Sequence, residues 1–268
     1  MQQIGIKFRR LQTSAAPVVT KILESKFARI RFLQKFILFT YGGYKSFEAT
    51  PMSSVREYVP AGTTVIDVGA HFGYFTTRLS RLVGANGEVI ALEPNSASCR
   101  LLHDRIARAR LKNVRILSCA AWSSSTDVQL LIGGPLEATS RVALDPETDG
   151  MKVQGRTLDS IVREHAARRV SFIKIDVEGA EVEVLRGAVE TLQRHRPTVL
   201  CEIGHESQES SSEGITNLFE ILRLVNYDCL NVTTKRILKA DEVSSAVTRL
   251  RYLDVLLCPK VLIPLRVS

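Results

Sequence analysis

An acidic residue followed by spaced glycines marks the first place where this chain could do chemistry. The segment D-V-G-A-H-F-G, Asp67 to Gly73, begins within a short apolar run at residues 64–68 and precedes a stretch with helical periodicity. Glycines at such a turn let the backbone approach a ligand with no Cβ in the way. The helix that follows offers unpaired N–H groups. The pattern predicts a strand, a ligand-binding turn and a helix.

A second acidic residue stands at the end of the next apolar run. Glu93, Pro94 and Asn95 follow residues 88–92, and Glu93 lies 26 residues after Asp67. This is near the spacing of ~20 residues at which an acid reaches the two hydroxyls of a ribose in nucleotide-binding folds. The two motifs together predict a cofactor that contains a nucleoside.

The chemistry of the turn distinguishes between such cofactors. The dinucleotide fingerprint G-x-G-x-x-G is absent, and Asp67 stands two residues before Gly69. A carboxylate there repels a pyrophosphate and attracts an ammonium group. S-adenosylmethionine, with a ribose, an amino-acid end and no phosphate, therefore fits better than NAD. The alternative is a structural turn in which Asp67 only caps the backbone.

These motifs need elements that bring them to one place. Short, continuous apolar runs alternate with helical stretches, which is typical of strands buried on both faces in a parallel, doubly wound sheet. In such sheets ligands bind at the carboxyl ends of the strands. We expect a helix over residues 181–194, a hairpin-like addition at 128–131, a loop over 133–155 that could act as a lid, and strands at 64–68, 88–92, 114–117, 172–177, 198–203, 227–232 and 252–258.

Four segments, residues 65–73, 89–95, 157–159 and 172–181, together resemble the FkbM family of S-adenosylmethionine-dependent methyltransferases. The most specific is K-I-D-V-E-G-A-E at residues 174–181. The resemblance covers about residues 50–232. It implies a class I methyltransferase fold, which is α/β and Rossmann-like with a mostly parallel seven-stranded sheet, and methylation of a hydroxyl on a sugar or a natural product.

The resemblance assigns the cofactor contacts residue by residue. The turn residues Gly69, Ala70, His71 and Gly73, with Asp67, would hold the methionine end, and Glu93 to Asn95 the ribose. Cys119 and Ala120 follow the third strand, where this fold borders the adenine, and their small side chains leave room for a flat ring. The family usually has Asn where this chain has His71, which can still donate a hydrogen bond.

Methyl transfer to an alcohol also needs a group that removes a proton. Asp176 at the end of the fourth strand is the leading candidate, and the alternative is that it orients a turn or the cofactor's amino group. Glu178 could share either role. His205 is a second candidate base or an exposed loop residue, and Glu202 could bind a sugar hydroxyl or pair with Lys174. Lys174 itself, in an apolar strand, is expected to pair with a carboxylate.

A metal site is not expected. Asp176, Glu178 and Glu202 could supply oxygen ligands for Mg²⁺, but nothing in their spacing demands it. The five cysteines form no C-x-x-C pair, and four lie in or beside apolar stretches. This pattern indicates small buried side chains in a reducing compartment, and we expect the protein to be cytoplasmic.

The net charge of +8 is concentrated at the start of the chain, where residues 1–50 hold nine Lys or Arg against two Glu. The rest is nearly neutral, which argues against a nucleic-acid partner. We expect a basic segment at 1–50 and a catalytic domain at 51–268. Residues 17–40 read as an amphipathic helix that packs on the domain or, alternatively, contacts an anionic membrane. The oligomeric state stays open.

The sequence therefore predicts an S-adenosylmethionine-dependent O-methyltransferase whose acceptor is a hydroxyl, most simply that of a sugar in a glycoconjugate. A natural-product O-methyltransferase, acting on a polyketide or peptide-derived acceptor, is the enzyme alternative. A cofactor-binding module without catalysis is the alternative of a different class.

Overall fold

The computed structural model describes residues 55–133, 139–145, 147–166, 168–204, 212–250 and 252–260. The chain divides into two compact units, one of residues 50–131 with 140–268 and one of residues 1–49 with 132–139. Apart from residues 132, 133 and 139, the fold described below belongs to the unit of residues 50–131 and 140–268. The basic segment 1–50 and the helix predicted at 17–40 lie outside the described residues.

Seven strands form the main sheet, in the order β10-β11-β9-β8-β1-β2-β3. All of its neighbours pair in parallel except β11, which is antiparallel to both β9 and β10. The predicted seven-stranded, mostly parallel sheet is confirmed. Its strands are β1 (Thr64–Val68), β2 (Glu88–Leu92), β3 (Val114–Leu117), β8 (Val170–Ile175), β9 (Thr198–Gly204), β10 (Tyr227–Asn231) and β11 (Tyr252–Pro259).

Helices connect the strands: α1 (Tyr74–Val83), α2 (Ser96–Arg108), α3 (Leu158–His165), α4 (Glu181–Arg186), α5 (Val189–His195), α6 (Ser212–Val225) and α7 (Ala240–Leu250). The single helix predicted over 181–194 is wrong, because α4 and α5 are separated at Gly187 and Ala188. A Cβ at Gly187 would lie 2.1 Å from the carbonyl oxygen of Trp122, so only glycine fits this approach. Helix α7 was not predicted.

A second sheet has four strands in the order β4-β7-β5-β6. They are β4 (Ala120–Ala121), β5 (Asp127–Gly133), β6 (Thr139–Val142) and β7 (Met151–Arg156). The predicted hairpin-like addition is confirmed, since β5 pairs antiparallel with β7. The loop predicted over 133–155 is wrong, because it contains β6 and most of β7. Glycines and prolines there interrupt any local pattern, and pairing with distant strands forms the sheet.

The core lies on both faces of the main sheet. Every residue of β1 and of β8 is buried, as expected for central parallel strands. Two of these buried side chains are charged, Asp67 in β1 and Lys174 in β8. Burying a charge costs free energy unless it is paired. The two buried charges therefore indicate a functional site. No helix in the described part of the chain is long and apolar enough to span a membrane.

Candidate functional site

The site lies at the carboxyl ends of three adjacent strands. Strand β1 stands between β2 and β8, and the register places Asp67 beside Lys174. Asp67 is the fourth residue of β1, Glu93 follows the last residue of β2, and Asp176 follows the last residue of β8. The sheet therefore brings the three predicted acidic residues to one edge.

Asp67 is fully buried and only partly satisfied. Its Oδ2 accepts a hydrogen bond of 2.6 Å from the hydroxyl of Thr76 in the first turn of α1. Its Oδ1 has no hydrogen-bond partner among the described residues, although the Lys174 ammonium lies 3.7 Å away. Burial raises the pKa of Asp67, against the nearby ammonium. A buried acceptor with spare capacity is suited to a ligand donor.

The glycine-rich turn is closely packed against the ends of the strands. Gly69 has a φ of 74°, and a Cβ there would lie 1.9 Å from the carbonyl oxygen of Asp176. The N–H groups of Gly69 and Ala70 both donate to the carbonyl of Leu92. Gly73, with a φ of 83°, precedes α1 and makes no side-chain cap. The glycine-rich turn therefore leads directly into the N-terminus of α1.

Glu93 connects the second strand to this turn. It is buried, its Oε2 accepts from the N–H of His71 at 2.8 Å, and its Oε1 accepts from the N–H of Asn95 at 2.9 Å. Burial raises the pKa of Glu93 to about 7, and the two amide hydrogen bonds offset part of that rise. His71 makes this contact through its backbone, so the contact itself does not depend on the side chain that departs from the family pattern.

Asn95 has a structural role next to Glu93. Its side-chain oxygen accepts from the N–H groups of Ala97 and Ser98 and so caps α2. An N-cap of this kind stabilises a helix by about 1 kcal/mol. Pro94, between the two, is half-buried. Of the three residues predicted for the ribose, Glu93 is the one whose buried carboxylate faces the turn.

Lys174 pairs with carboxylates, as its place in an apolar strand predicts. Its ammonium lies 3.1 Å from Asp176 Oδ2 and donates to the carbonyl of Gly69 at 3.2 Å. Burial opposes the charged ammonium, but Asp176 and Asp67 outweigh it, so the pKa of Lys174 is raised. Lys174 and Asp176 therefore form a partly buried ion pair.

The turn after β8 is held by a residue that the sequence analysis did not single out. Glu178 and Gly179 have positive φ angles of 54° and 101°. The buried carboxylate of Glu181 accepts from the N–H of Gly179 at 2.9 Å and so fixes this turn. Thr76 was missed as well. Its position in the first helical turn, nine residues after an acid at a strand end, is the signal that could have found it.

The remaining candidates lie near the same edge or outside the described residues. Cys119 and Ala120 are buried after β3, and burial raises the pKa of the Cys119 thiol to about 11. Glu202 in β9 is half-buried and close enough to Lys174 to raise that residue's pKa. His205 lies outside the described residues. In the described ranges no three His, Cys, Asp or Glu side chains lie close enough to hold a metal ion.

The residues of this edge fit S-adenosylmethionine. The unpartnered Oδ1 of Asp67 can accept a donor. Gly69 packs against the Asp176 carbonyl with no space for a Cβ, so the turn lies directly beside the end of β8. Glu93 offers a buried carboxylate whose remaining lone pairs can accept hydrogen bonds from ribose hydroxyls. None of these features favours a pyrophosphate, which the carboxylates would repel.

Comparison with known proteins decides the family. Residues 67–229 match the model of the methyltransferase FkbM domain, which is more than half of the chain. The chain belongs to the FkbM methyltransferase family. The predicted family, the methyltransferase class and its cofactor, S-adenosylmethionine, are thereby confirmed at the level of this FkbM domain. The strand order of the main sheet, with β11 inserted antiparallel between β9 and β10, agrees with the predicted class I fold.

Individual relatives are distant. Methyltransferase 1 of Beauveria bassiana (strain ARSEF 2860) is 23% identical over 48% of this chain and 59% of its own length. The crystal structure of methyltransferase FkbM from Methylobacillus flagellatus KT matches with 18% identity and a TM-score of 0.49, over 74% of this chain and 44% of that one. A SAM-dependent methyltransferase from Aquifex aeolicus matches with 16% identity and a TM-score of 0.43, over 80% and 91%. The chain thus spans less than two thirds of the length of the Beauveria bassiana and Methylobacillus flagellatus proteins.

Proposed function

We propose that this protein is an S-adenosylmethionine-dependent O-methyltransferase that acts on a hydroxyl of a sugar in a glycoconjugate. The observation that carries the proposal is the meeting of Asp67, Glu93 and Asp176 at the carboxyl edge of β1, β2 and β8. Family membership supports the methyltransferase class. The hydroxyl acceptor and the sugar are the finer part of the proposal.

Each residue of the edge has a role in this mechanism. S-adenosylmethionine, when bound, supplies a sulfonium methyl group that passes in line to the acceptor oxygen. Asp67, which Thr76 orients, would hold the methionine end together with the glycine-rich turn. Glu93, which the His71 amide orients, would accept hydrogen bonds from the ribose hydroxyls. Cys119 and Ala120 border the adenine. Much of the rate enhancement then comes from positioning.

The acceptor side involves Asp176 and its neighbours. Asp176 is half-exposed and ion-paired with Lys174, so its carboxylate is held in one orientation at the mouth of the site. It accepts a hydrogen bond from the acceptor hydroxyl or the cofactor's ammonium. An ion-paired carboxylate is a weaker base than a free one, which favours His205 as the group that removes the proton. Glu178 and Glu202 contact sugar hydroxyls in this proposal.

Calorimetric titration with S-adenosylhomocysteine tests the cofactor part, with NAD as the control ligand. We expect saturable binding by the native protein and weaker binding by Glu93→Gln. The matched control is Glu88→Gln at the other end of β2, where the carboxylate pairs with Arg115 at the surface. Equal affinity in all three proteins would remove Glu93 from the binding site. A folded native protein that binds no adenosyl ligand would contradict the proposal.

Transfer of a labelled methyl group to acceptors tests the reaction. We expect incorporation into hydroxylated glycans or glycolipids that exceeds incorporation into polyketide or peptide-derived alcohols. Asp176→Asn is expected to lose most turnover and only part of the cofactor affinity, because Asp67 still faces the ligand ammonium. Preference for the second class of acceptors would establish the natural-product alternative, and cofactor binding with no transfer to either class would support a non-catalytic module.

A further inference from the structure

A buried ammonium group joins the two halves of the proposed site. The Lys174 bridge consists of Lys174, the carboxylates of Asp67 and Asp176, and the carbonyl of Gly69. The Nζ atom lies 3.1 Å from Asp176 Oδ2, 3.2 Å from the Gly69 oxygen and 3.7 Å from Asp67 Oδ1. The bridge therefore spans the first strand, the glycine-rich turn and the residue after the fourth parallel strand.

The surroundings of the bridge are partly apolar and otherwise acidic. The Lys174 side chain is 7% exposed and that of Asp67 is fully buried. The ring of Phe75 in α1 lies 5.2 Å from Nζ. Glu93 and Glu202 are the other carboxylates close enough to interact electrostatically with Lys174. Lys174 is thus the cation around which four acidic side chains are arranged.

We infer that Lys174 is a positioning residue for the cofactor, which favours the ionised forms of both Asp67 and Asp176 and fixes the glycine-rich turn against β8. Two carboxylates that face one site without a cation cannot both stay ionised, because like charges raise one of the two pKa values. The inference rests on the proposed function in one respect: the ligand ammonium is taken to bind at these carboxylates.

The experiment measures how many protons the protein releases when the ligand binds. In Lys174→Met the ligand-free site is expected to hold one proton near neutral pH, and binding of S-adenosylhomocysteine, whose ammonium favours both ionised carboxylates, is expected to release it. Calorimetry in buffers with different ionisation enthalpies measures that release. We expect about one more proton released than in the native protein, so that the affinity gains up to about tenfold more per pH unit. The double variant Lys174→Met/Asp67→Asn is expected to return to the native count, because it also lacks the carboxyl whose pKa burial raises.

A purely structural role for Lys174 gives another result. It would lower stability and affinity by the same factor at every pH and leave the proton count unchanged, which would overturn the inference. If Lys174→Met does not fold, the double variant tests the inference instead. Replacing one carboxylate by an amide removes the repulsion between two carboxylates that have no cation between them. We expect that protein to fold, and a double variant no more stable than the single one contradicts the inference.

A ligand-free measurement separates this inference from the proposed function. If the native protein binds no adenosyl ligand, the proposed function fails, and the bridge is then judged by urea unfolding as a function of pH. Compared with the native protein, Lys174→Met is expected to lose stability as pH rises from about 5 to 8, because a carboxyl with a raised pKa stabilises the fold only while it is protonated. Parallel pH profiles would overturn the inference by this route.

Discussion

At the scale of single residues, the site depends on carboxylates that the fold keeps out of water. Glu93 shows the consequence most directly, since burial raises its pKa to about 7 while two backbone amides donate to it. Asp67 is even more buried and has a hydroxyl partner on one oxygen only. A ligand that donates hydrogen bonds to such carboxylates stabilises their ionised form. A change in their titration therefore reports ligand binding.

The titration of Glu93 leads to a prediction about pH. Ribose hydroxyls that donate to the carboxylate favour its ionised form, so binding lowers its pKa and releases a proton. The affinity for S-adenosylhomocysteine is therefore expected to rise as pH increases toward about 7 and then to level off. Calorimetry from pH 5.5 to 8 would measure this. In Glu93→Gln the ligand still titrates, but residue 93 does not. If the affinity of this variant changes with pH as steeply as that of the native protein, the assignment of Glu93 to the ribose is contradicted.

The same pKa shift has the opposite sign for the stability of the free protein. The folded-state pKa of about 7 lies above the ordinary value of 4.5. Between these values the folded protein holds a proton that the unfolded chain has released. The contribution of Glu93 to stability is therefore present in acid and lost as pH rises through about 7. Ligand binding offsets this loss.

The hydroxyl of Thr76 is expected to matter through Asp67. Thr76→Val keeps the shape of the side chain but leaves Asp67 Oδ2 without its 2.6 Å donor. A buried acceptor that loses its partner costs about 1–3 kcal/mol, so the free energy of unfolding in urea should fall by that amount. Thr76→Ser retains the hydroxyl and should lose much less. A loss in Thr76→Val no larger than the loss in Thr76→Ser would show that the hydrogen bond contributes no more to stability than the methyl group does.

At the scale of elements, capping explains a motif that the family resemblance singled out. Thr157 caps α3 through its side chain. Asp159, two residues later, accepts from the N–H groups of Glu190 and Thr191 and from the Thr191 hydroxyl. Its carboxylate thereby caps α5, whose own N-cap residue, Ala188, makes no side-chain hydrogen bond. The motif at 157–159 joins two helices and is structural.

Removal of this cap is expected to destabilise the protein. Asp159→Ala should lower the free energy of unfolding by about 1–2 kcal/mol, as the loss of a helix N-cap does. Asp104→Ala on α2 is the matched control, because the exposed Asp104 carboxylate pairs with Arg108 at the surface. Such pairs contribute little. Chemical denaturation of both variants would measure the difference, and a loss no larger than that of the control would remove Asp159 as a cap.

At the scale of the whole molecule, the role of the basic segment is a prediction from the sequence alone. Residues 1–50 carry most of the net charge. The apolar face predicted for residues 17–40 is expected to pack on protein, so that deletion of residues 1–40 should lower the free energy of unfolding.

Vesicle sedimentation checks the alternative for the same segment. The full chain and the deletion variant would be mixed with vesicles of anionic or neutral lipid. A deletion variant with native stability that loses binding to anionic vesicles would contradict packing on protein and establish a membrane contact. Low salt would strengthen that binding and high salt would weaken it.

Much of the site was determined by the sequence. Asp67, Glu93 and Asp176 could be predicted to lie together because each stands at or near the end of a short apolar run, and the carboxyl ends of parallel strands meet at one edge of a sheet. The glycine-rich turn could also be predicted, since positive φ angles at Gly69 and Gly73 are local requirements that glycine meets. Local periodicity and local backbone geometry are properties that neighbouring residues encode.

Only the tertiary structure decided how these parts are connected. The strands β6 and β7 form through pairing across the second sheet, and the break between α4 and α5 follows from the carbonyl of Trp122 lying against Gly187. The sequence predicted that Lys174 pairs with a carboxylate, but not that it joins Asp67, Asp176 and the Gly69 carbonyl. Contacts of this kind depend on strand register and order, which bring together residues far apart in the chain and leave no local pattern.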